Sequence, residues 1–412
     1  MKKFHSLFER ILMVAITVLV FVLSGCQKQE YVTQLAKSDG LLTIEDAITE
    51  VKDFLKAVEP TATRAYGGER RVASTWVKSL DPDTQPSDAN SPKLFIMNFE
   101  DSLGFAIVSN DPNKGVLGLS LSGSFKEGQL IENPGFEIIL EQLEAFARAP
   151  MIGDSIDHFE YGSWEDTYYA PITGYCAVRW NQGSSSGNQY NAYCPIIDGI
   201  KCPAGCGPVA VAQLMSMYKF PSSYGAYAFN WDSMISNSSA TDNYGDYYVG
   251  RLLQQIGLSQ NMNVTYNPSG SSSYASSIPH TFENFGYANG GTFGYLYSHN
   301  AIQDLKGGYP IIITGETTAG DSHAWVAHGV YDRTRECIGY SANGEIQYYG
   351  HEVEEYILHN FGWGGWGNGY YLLNNYNTTQ GPTYYDPTYP YYSQGGYNFV
   401  NNIKSVYGIR RY

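Results

Sequence analysis

Basic side chains are scarce in this sequence. Lys and Arg number 25 against 40 Asp and Glu, a formal charge of −15, so the long-range field repels phosphate backbones and nucleic acid is excluded as a partner. Charge of either sign is thin, at 16% against 43% apolar residues, which favours burial and excludes a mostly disordered chain. The apolar run Ile11 to Leu23 is shorter than the ~20 residues that a helix needs to cross hydrocarbon. Residues 40–150 hold neither His nor Cys, so that half offers few catalytic groups. Cys194, Cys202 and Cys206 lack the C-x-x-C spacing of structural zinc sites, and no metal or other cofactor is called for. With 412 residues the chain has room for two or three domains, which rules out a disulfide mini-scaffold. What is abundant is Tyr, 36 residues, with 44 Gly, concentrated in the second half and pointing to strands, loops and wet aromatic surfaces.

The first residues read as an address. Lys2, Lys3 and Arg10 precede the apolar run, which ends in Leu23-Ser24-Gly25-Cys26 and turns polar at once. That is the pattern of a bacterial lipoprotein signal, residues 1–25, with Cys26 as the lipidated N-terminus anchoring the chain to a membrane. A plain secretory signal cleaved near Gly25 is the alternative, and both mean export to the outer membrane or cell surface, with or without later release. Export permits disulfides. Five cysteines remain, Cys176, Cys194, Cys202, Cys206 and Cys337; the odd number leaves one thiol over, and the other four can pair in three ways.

After a linker at 26–39, residues 40–150 read as a compact α+β unit. Thr43 and Asp46 resemble a capping box opening an amphipathic helix over 43–58. A polar, turn-rich stretch covers 66–92, three strands follow within 93–99, 104–109 and 116–121, and a second helix runs from Pro134 to before Pro150. Residues 151–171 are acidic and aromatic without clear periodicity, and read as a linker. The chemistry belongs to 172–412.

There, Pro208 near N1 and the run Val209 to Tyr218 predict a small-residue helix with Cys206 at its N-terminus. Unpaired N–H groups and the helix dipole favour a thiolate at such a place, a nucleophile at neutral pH. The same segment fits equally a buried structural cysteine or a disulfide to Cys202. A nucleophilic Cys needs a base. Asp321–Tyr331 is an alternating strand on which His323 and His328 point to opposite faces, His323 being placed for a cleft rim and His328 for a structural role. Asn360 is suited to accept from the imidazole N–H, Trp363 to shield that bond, and the glycines at 362, 364, 365 and 367 to make a tight turn. Gln182 in Trp180-Asn181-Gln182-Gly183 offers a donor to an oxyanion. Two competing motifs fail their context: G-x-S-x-G at 183–187 lacks the strand and helix of a nucleophile elbow around Ser185, and G-x-G-x-x-G at 362–367 precedes a strand. The stretch Tyr384–Tyr392 reads as an exposed aromatic loop near the cleft.

Gly205-Cys206 with Ala212-Gln213, then His323-Ala324-Trp325-Val326, then Asn360-Phe361-Gly362-Trp363-Gly364-Gly365, in that order, resemble the streptopain family of papain-like cysteine peptidases. The Trp180–Gly183 block and Val406-Tyr407-Gly408-Ile409 agree, and residues 104–109 with 116–118 resemble the inhibitory propeptide that precedes such peptidases. The resemblance implies an α+β papain-like fold, a helical subdomain carrying Cys206 against a twisted antiparallel sheet carrying His323 and Asn360, preceded by a small α+β prodomain. It implies an endopeptidase made as a zymogen and cut within about 150–172. Its partners would be protein or peptide substrates and its own prodomain. Cys206 would be the nucleophile, His323 the acid and base, Gln182 and the Cys206 N–H the oxyanion hole, and Asn360 with Trp363 the support of the histidine. This chain departs from the family's pattern in Phe361 for Trp, His328 for Asp, and extra length at 184–187. An inactive adhesin or glycan-binding lipoprotein using the Tyr-rich surface is the reading from another class, and a serine hydrolase on Ser185 a third.

Overall fold

The computed structural model describes residues 41–66, 70–81, 91–148, 158–296, 299–373 and 402–412. The lipoprotein signal, Cys26, the linker at 26–39 and the Tyr384–Tyr392 stretch lie outside these residues. No helix among those described is long and apolar enough to cross a membrane.

The Thr43–Asp46 box forms as read: Thr43 N donates to Asp46 Oδ2 at 3.0 Å and Asp46 N to Thr43 Oγ1 at 3.3 Å. It opens α1 (Ile44–Tyr66), longer than its stripe suggests, whose Ala47, Val51, Phe54, Leu55 and Val58 are buried. Four strands follow: β1 (Val72–Ser79), β2 (Lys93–Phe99), β3 (Phe105–Ser109) and β4 (Val116–Ser120). β1 falls in the stretch read as turn-rich. It is an edge strand with no fully buried side chain, so its apolar signal is weak, and pairing to β2 makes it a strand. Next comes α2 (Pro134–Arg148), with Phe136, Ile139, Leu140, Leu143, Phe146 and Ala147 buried as the spacing requires.

Residues 158–169 are not an unstructured linker. β5 (His158–Tyr161) and β6 (Glu165–Tyr169) pair antiparallel with a long strand further on, from Cys337↔Tyr161 to Val330↔Tyr169. Aromatic residues of β5 and of the turn after it pack on cations: Arg335 lies 3.7 Å over the Tyr161 ring and 4.2 Å over Trp164, and Arg333 lies 4.4 Å over Trp164. Such ring–cation contacts satisfy an acidic, aromatic strand without the alternation of an apolar core face, which is why the period is illegible.

The second half starts with two small hairpins, β7 (Ile196–Ile197) with β8 (Ile200–Lys201) and β9 (Ser223–Tyr224) with β10 (Tyr227–Ala228), and α3 (Cys206–Tyr218) lies between them. α4 (Trp231–Ser236), α5 (Tyr248–Gly257) and α6 (Ile278–Asn284) complete a helical layer, and α7 (His299–Lys306) packs on the sheet. The strands are β11 (Asn289–Tyr295), β12 (Ile311–Glu316), β13 (Ser322–Tyr340), β14 (Ile346–Asn360), β15 (Gly369–Leu372) and β16 (Lys404–Arg410). They run β15-β14-β13-β12-β16-β11, antiparallel throughout, and β15 pairs with β4, Gly369 opposite Ser120. One twelve-stranded sheet therefore crosses the join between the two halves.

α3 is buried on all sides from Gly207 to Met217. Each of Val209, Val211, Leu214 and Met215 removed from water contributes roughly 1.5–3 kcal/mol, while Ala210 and Ala212 let β13 come close. That packing sets the helix carrying Cys206 against the strand carrying His323, the mixed α+β arrangement expected.

Candidate active site

Gly205, at φ +95°, turns the chain into α3 and leaves Cys206 as its first residue. His323 is the second residue of β13, and Asn360 is the last of β14. Cys206 and His323 line one cavity of about 210 Å³, whose apolar wall is formed by Met262, Ile278 and Phe293. The sequence-predicted pair is thus brought together. Gln182 is tied to the same loop by its backbone, its carbonyl accepting from Ala204 N at 2.8 Å, two residues before Cys206. All five described cysteines carry free thiols, so the pairings left open by the sequence are not made and Cys206 is not locked to Cys202.

The state of the pair differs from the expected resting thiolate. Burial pushes the Cys206 thiol up, against the backbone N–H groups of Ala324, Gly207 and Cys206 that act the other way. Burial also holds the His323 imidazole down at about 4, so at neutral pH it carries no charge to stabilise a thiolate. Among the described residues no hydrogen bond joins the sulfur to His323. The imidazole is buried partly by the N-terminal half of the chain: a Cβ on Gly135, in the first turn of α2, would stand 2.7 Å from His323 Cδ2 and 2.7 Å from Phe361 Cδ1. α2 is further held by Glu141, whose carboxylate accepts from Thr318 Oγ1 at 2.7 Å and Thr318 N at 3.1 Å, and by its cap Asn133, which donates to Trp366 O at 3.2 Å.

Asn360 lies where it was expected but does not hold the imidazole. Its Oδ1 accepts from Gln213 Nε2 at 3.0 Å and Gly362 N at 3.2 Å, and its Nδ2 donates to Val178 O at 2.8 Å and Cys176 Sγ at 3.4 Å. Both ends of the amide are satisfied inside the fold. The ring of His323 instead places Nε2 2.8 Å from the carbonyl of Phe361, one residue along, and donates to it. Trp363 packs edge-on against the imidazole at 5.8 Å, so it covers the histidine itself and not an Asn–His bond. A backbone carbonyl as acceptor carries no residue-type signal, and no sequence reading could have found it.

Phe361, where the family pattern has Trp, is fully buried, stacked on His359 at 5.5 Å and 1° and tilted on Trp325 at 5.8 Å. His359 accepts at Nδ1 from Trp325 Nε1, 2.8 Å. His328 is structural as expected: its Nδ1 accepts from Cys176 N at 3.3 Å, and burial lowers it to about 3.

Residues 180–371 match the model of the peptidase C10 family. Streptopain of Streptococcus pyogenes serotype M1 is 24% identical over 345 residues, covering 72% of this chain and 78% of that protein, and streptopain of serotype M28 gives the same figures. Among solved structures, a prointerpain A fragment from Prevotella intermedia is similar with a TM-score of 0.47 at 19% identity, covering 73% of this chain and 92% of that one. Active interpain A from the same organism gives 0.34 at 19% identity, over 49% and 85%. The family match spans the Trp180 block, Cys206, His323 and the Asn360–Gly365 turn in one stretch, so residues 180–371 carry the pattern of the peptidase C10 family, and the chain is similar to streptopain over 72% of its length.

Proposed function

We propose that this chain is an exported, lipid-anchored cysteine endopeptidase made as a zymogen. Residues 1–25 act as the signal, Cys26 as the anchor point, and 40–150 as an inhibitory prodomain seated on the peptidase at 172–412. The observation that carries the reading is Cys206 and His323 lining one cavity while α2 covers the imidazole. With α2 withdrawn, the loss of burial lets the imidazole rise toward its ordinary range and the thiol fall, so a proton passes from Cys206 to His323. The thiolate attacks a peptide carbonyl; the Cys206 N–H and the Gln182 amide donate to the oxyanion. His323 then protonates the leaving amine, and water hydrolyses the thioester with His323 as base. The segment 158–169 is held in the sheet by β13, and a strand so paired is not free to enter a cleft, so the activating cut falls outside it.

The test is covalent. A peptidyl epoxide offered to the matured protein is expected to modify Cys206 and none of the other thiols, because Cys176 and Cys337 are buried and held up at about 12. Matured protein that takes no label belongs to a binding protein on the same fold. A fluorophosphonate adduct at Ser185 points to the serine alternative.

The seat of α2 is also sensitive to pH. Glu137 of α2 faces Glu141 on the next turn and Asp321 in the loop before β13, and burial together with these two like charges raises its pKa. Among the described residues the groups acting on it are carboxylates. Asp321 belongs to the turn that Glu141 grips: its N donates to Thr317 Oγ1 at 3.0 Å, beside Thr318. A raised acid favours the docked state at low pH and loses that contribution as pH climbs through its shifted value. Self-processing is expected to speed up from about pH 5 toward pH 8 beyond what the Cys–His pair requires, and Glu137→Gln to slow it at the upper end. The change is several-fold at most, the scale of a screened surface contact. A processing lag in Glu137→Gln that matches wild type at both pH values removes Glu137 from this role.

A further inference from the structure

We infer that Gln213 is a positioning residue for the peptidase reaction, holding the imidazole in line with the thiol through Asn360. The inference rests on the peptidase reading above. Gln213 stands two turns along α3 from Cys206 and is fully buried. Its Nε2 donates to Asn360 Oδ1 at 3.0 Å. Asn360 is bonded covalently to Phe361, whose carbonyl takes the His323 Nε2–H at 2.8 Å. The nucleophile's helix is thereby braced against the peptide that orients the base. Cys176 closes the brace from beneath, its thiol donating to Gln213 O at 3.9 Å and accepting from Asn360 Nδ2 at 3.4 Å.

The other half of the Gln213 amide argues against a merely structural role. Gln213 Oε1 is buried and has no hydrogen-bond partner. An apolar side chain of similar length would fill the same space without stranding an acceptor, so packing alone favours Met or Leu here. What such a side chain cannot do is donate to Asn360 Oδ1. The second donor to that oxygen, Gly362 N at 3.2 Å, comes from the turn itself and moves with it. Gln213 alone among the donors to that oxygen ties the turn to α3. The turn lies close on α3 at this point, since a Cβ on Gly362 would stand 2.9 Å from Val209 Cγ1 and 3.5 Å from Gln213 Oε1. Loss of the tie lets the Phe361 carbonyl drift relative to Cys206, and a misplacement of about 1 Å costs on the order of 100-fold in rate.

The experiment compares matured wild type, Gln213→Met and Gln213→Glu, each expressed as the full chain. Melting temperature, kcat and KM on casein-derived peptides, and the pH profile of Cys206 alkylation by iodoacetamide are read on all three. For Gln213→Met, kcat is expected to fall about 10- to 100-fold with KM nearly unchanged, the alkylation profile to move toward that of an unassisted thiol, and the melting temperature to hold or rise. A merely structural glutamine would lower the melting temperature and leave the alkylation profile in place, and that outcome overturns the inference. So does a folded Gln213→Met with wild-type kcat. Should Gln213→Met not fold, Gln213→Glu, which keeps the shape and loses the donor when ionised, decides by the same readings. Wild type that neither cleaves peptides nor alkylates preferentially at Cys206 overturns the peptidase reading itself; a competent wild type beside an unaffected variant overturns only the role of Gln213.

Discussion

Cys206→Ala is expected to abolish both cleavage of casein and maturation of the chain, a loss on the order of 10⁶-fold when a nucleophile is deleted. The protein should stay folded. Cys206 lies at the first position of α3 and is only partly buried as a residue, so its sulfur supports no large part of the core. The melting temperature is expected to move by no more than about 3 °C. N-terminal sequencing adds a second reading: wild type should lose its first half with a new terminus outside residues 158–169, and the variant should keep it. Casein cleavage retained by a purified Cys206→Ala protein would remove the nucleophile assignment and the mechanism built on it.

Gly135→Leu is expected to act in the opposite direction, turning a latent precursor into one that works before it is cut. The position has no room for a side chain. Its Cβ would stand 2.7 Å from both His323 Cδ2 and Phe361 Cδ1, and Phe361 cannot yield, being wedged between His359, Trp325 and Phe136. Either the first turn of α2 lifts away or the fold absorbs overpacking, which costs about 1–3 kcal/mol. Spread over the docked and undocked states, that energy corresponds to a rise of roughly 5- to 150-fold in the undocked fraction. The lag before self-processing should shorten accordingly, and iodoacetamide should reach Cys206 in the uncut chain. In the Cys206→Ala background the same change should lower thermal stability without any processing to confuse the measurement. A precursor with Gly135→Leu whose lag and labelling match wild type would show that α2 does not hold the site closed.

Some of this was open to reading from the residues alone. The Thr43–Asp46 cap, the stripe of α2 and the largely apolar run after Pro208 each follow from local spacing, because a helix repeats its inward face every three or four residues. Ordered blocks around Cys206, His323 and Asn360 carried the resemblance to a cysteine peptidase, although each of these residues alone fits a structural role. Where the signal was local but faint, it failed: β1 carries no fully buried residue, and the segment holding β5 and β6 sets the rings of Tyr161 and Trp164 on the guanidinium groups of Arg333 and Arg335, which no period in its own sequence records.

What the sequence by itself determined is the helix or strand that carries each of Cys206, His323 and Asn360, and the family pattern that surrounds them. Only the tertiary structure decided that the imidazole donates to a main-chain carbonyl at Phe361, that Asn360 is occupied by Gln213, Gly362, Val178 and Cys176, and that thiol and imidazole rest uncharged under a helix from the other half of the chain. The reason is physical. Side-chain identity and helical period are carried residue by residue, whereas hydrogen-bond partners and burial belong to groups brought together from positions far apart, and these set which nitrogen faces which oxygen and where each proton rests.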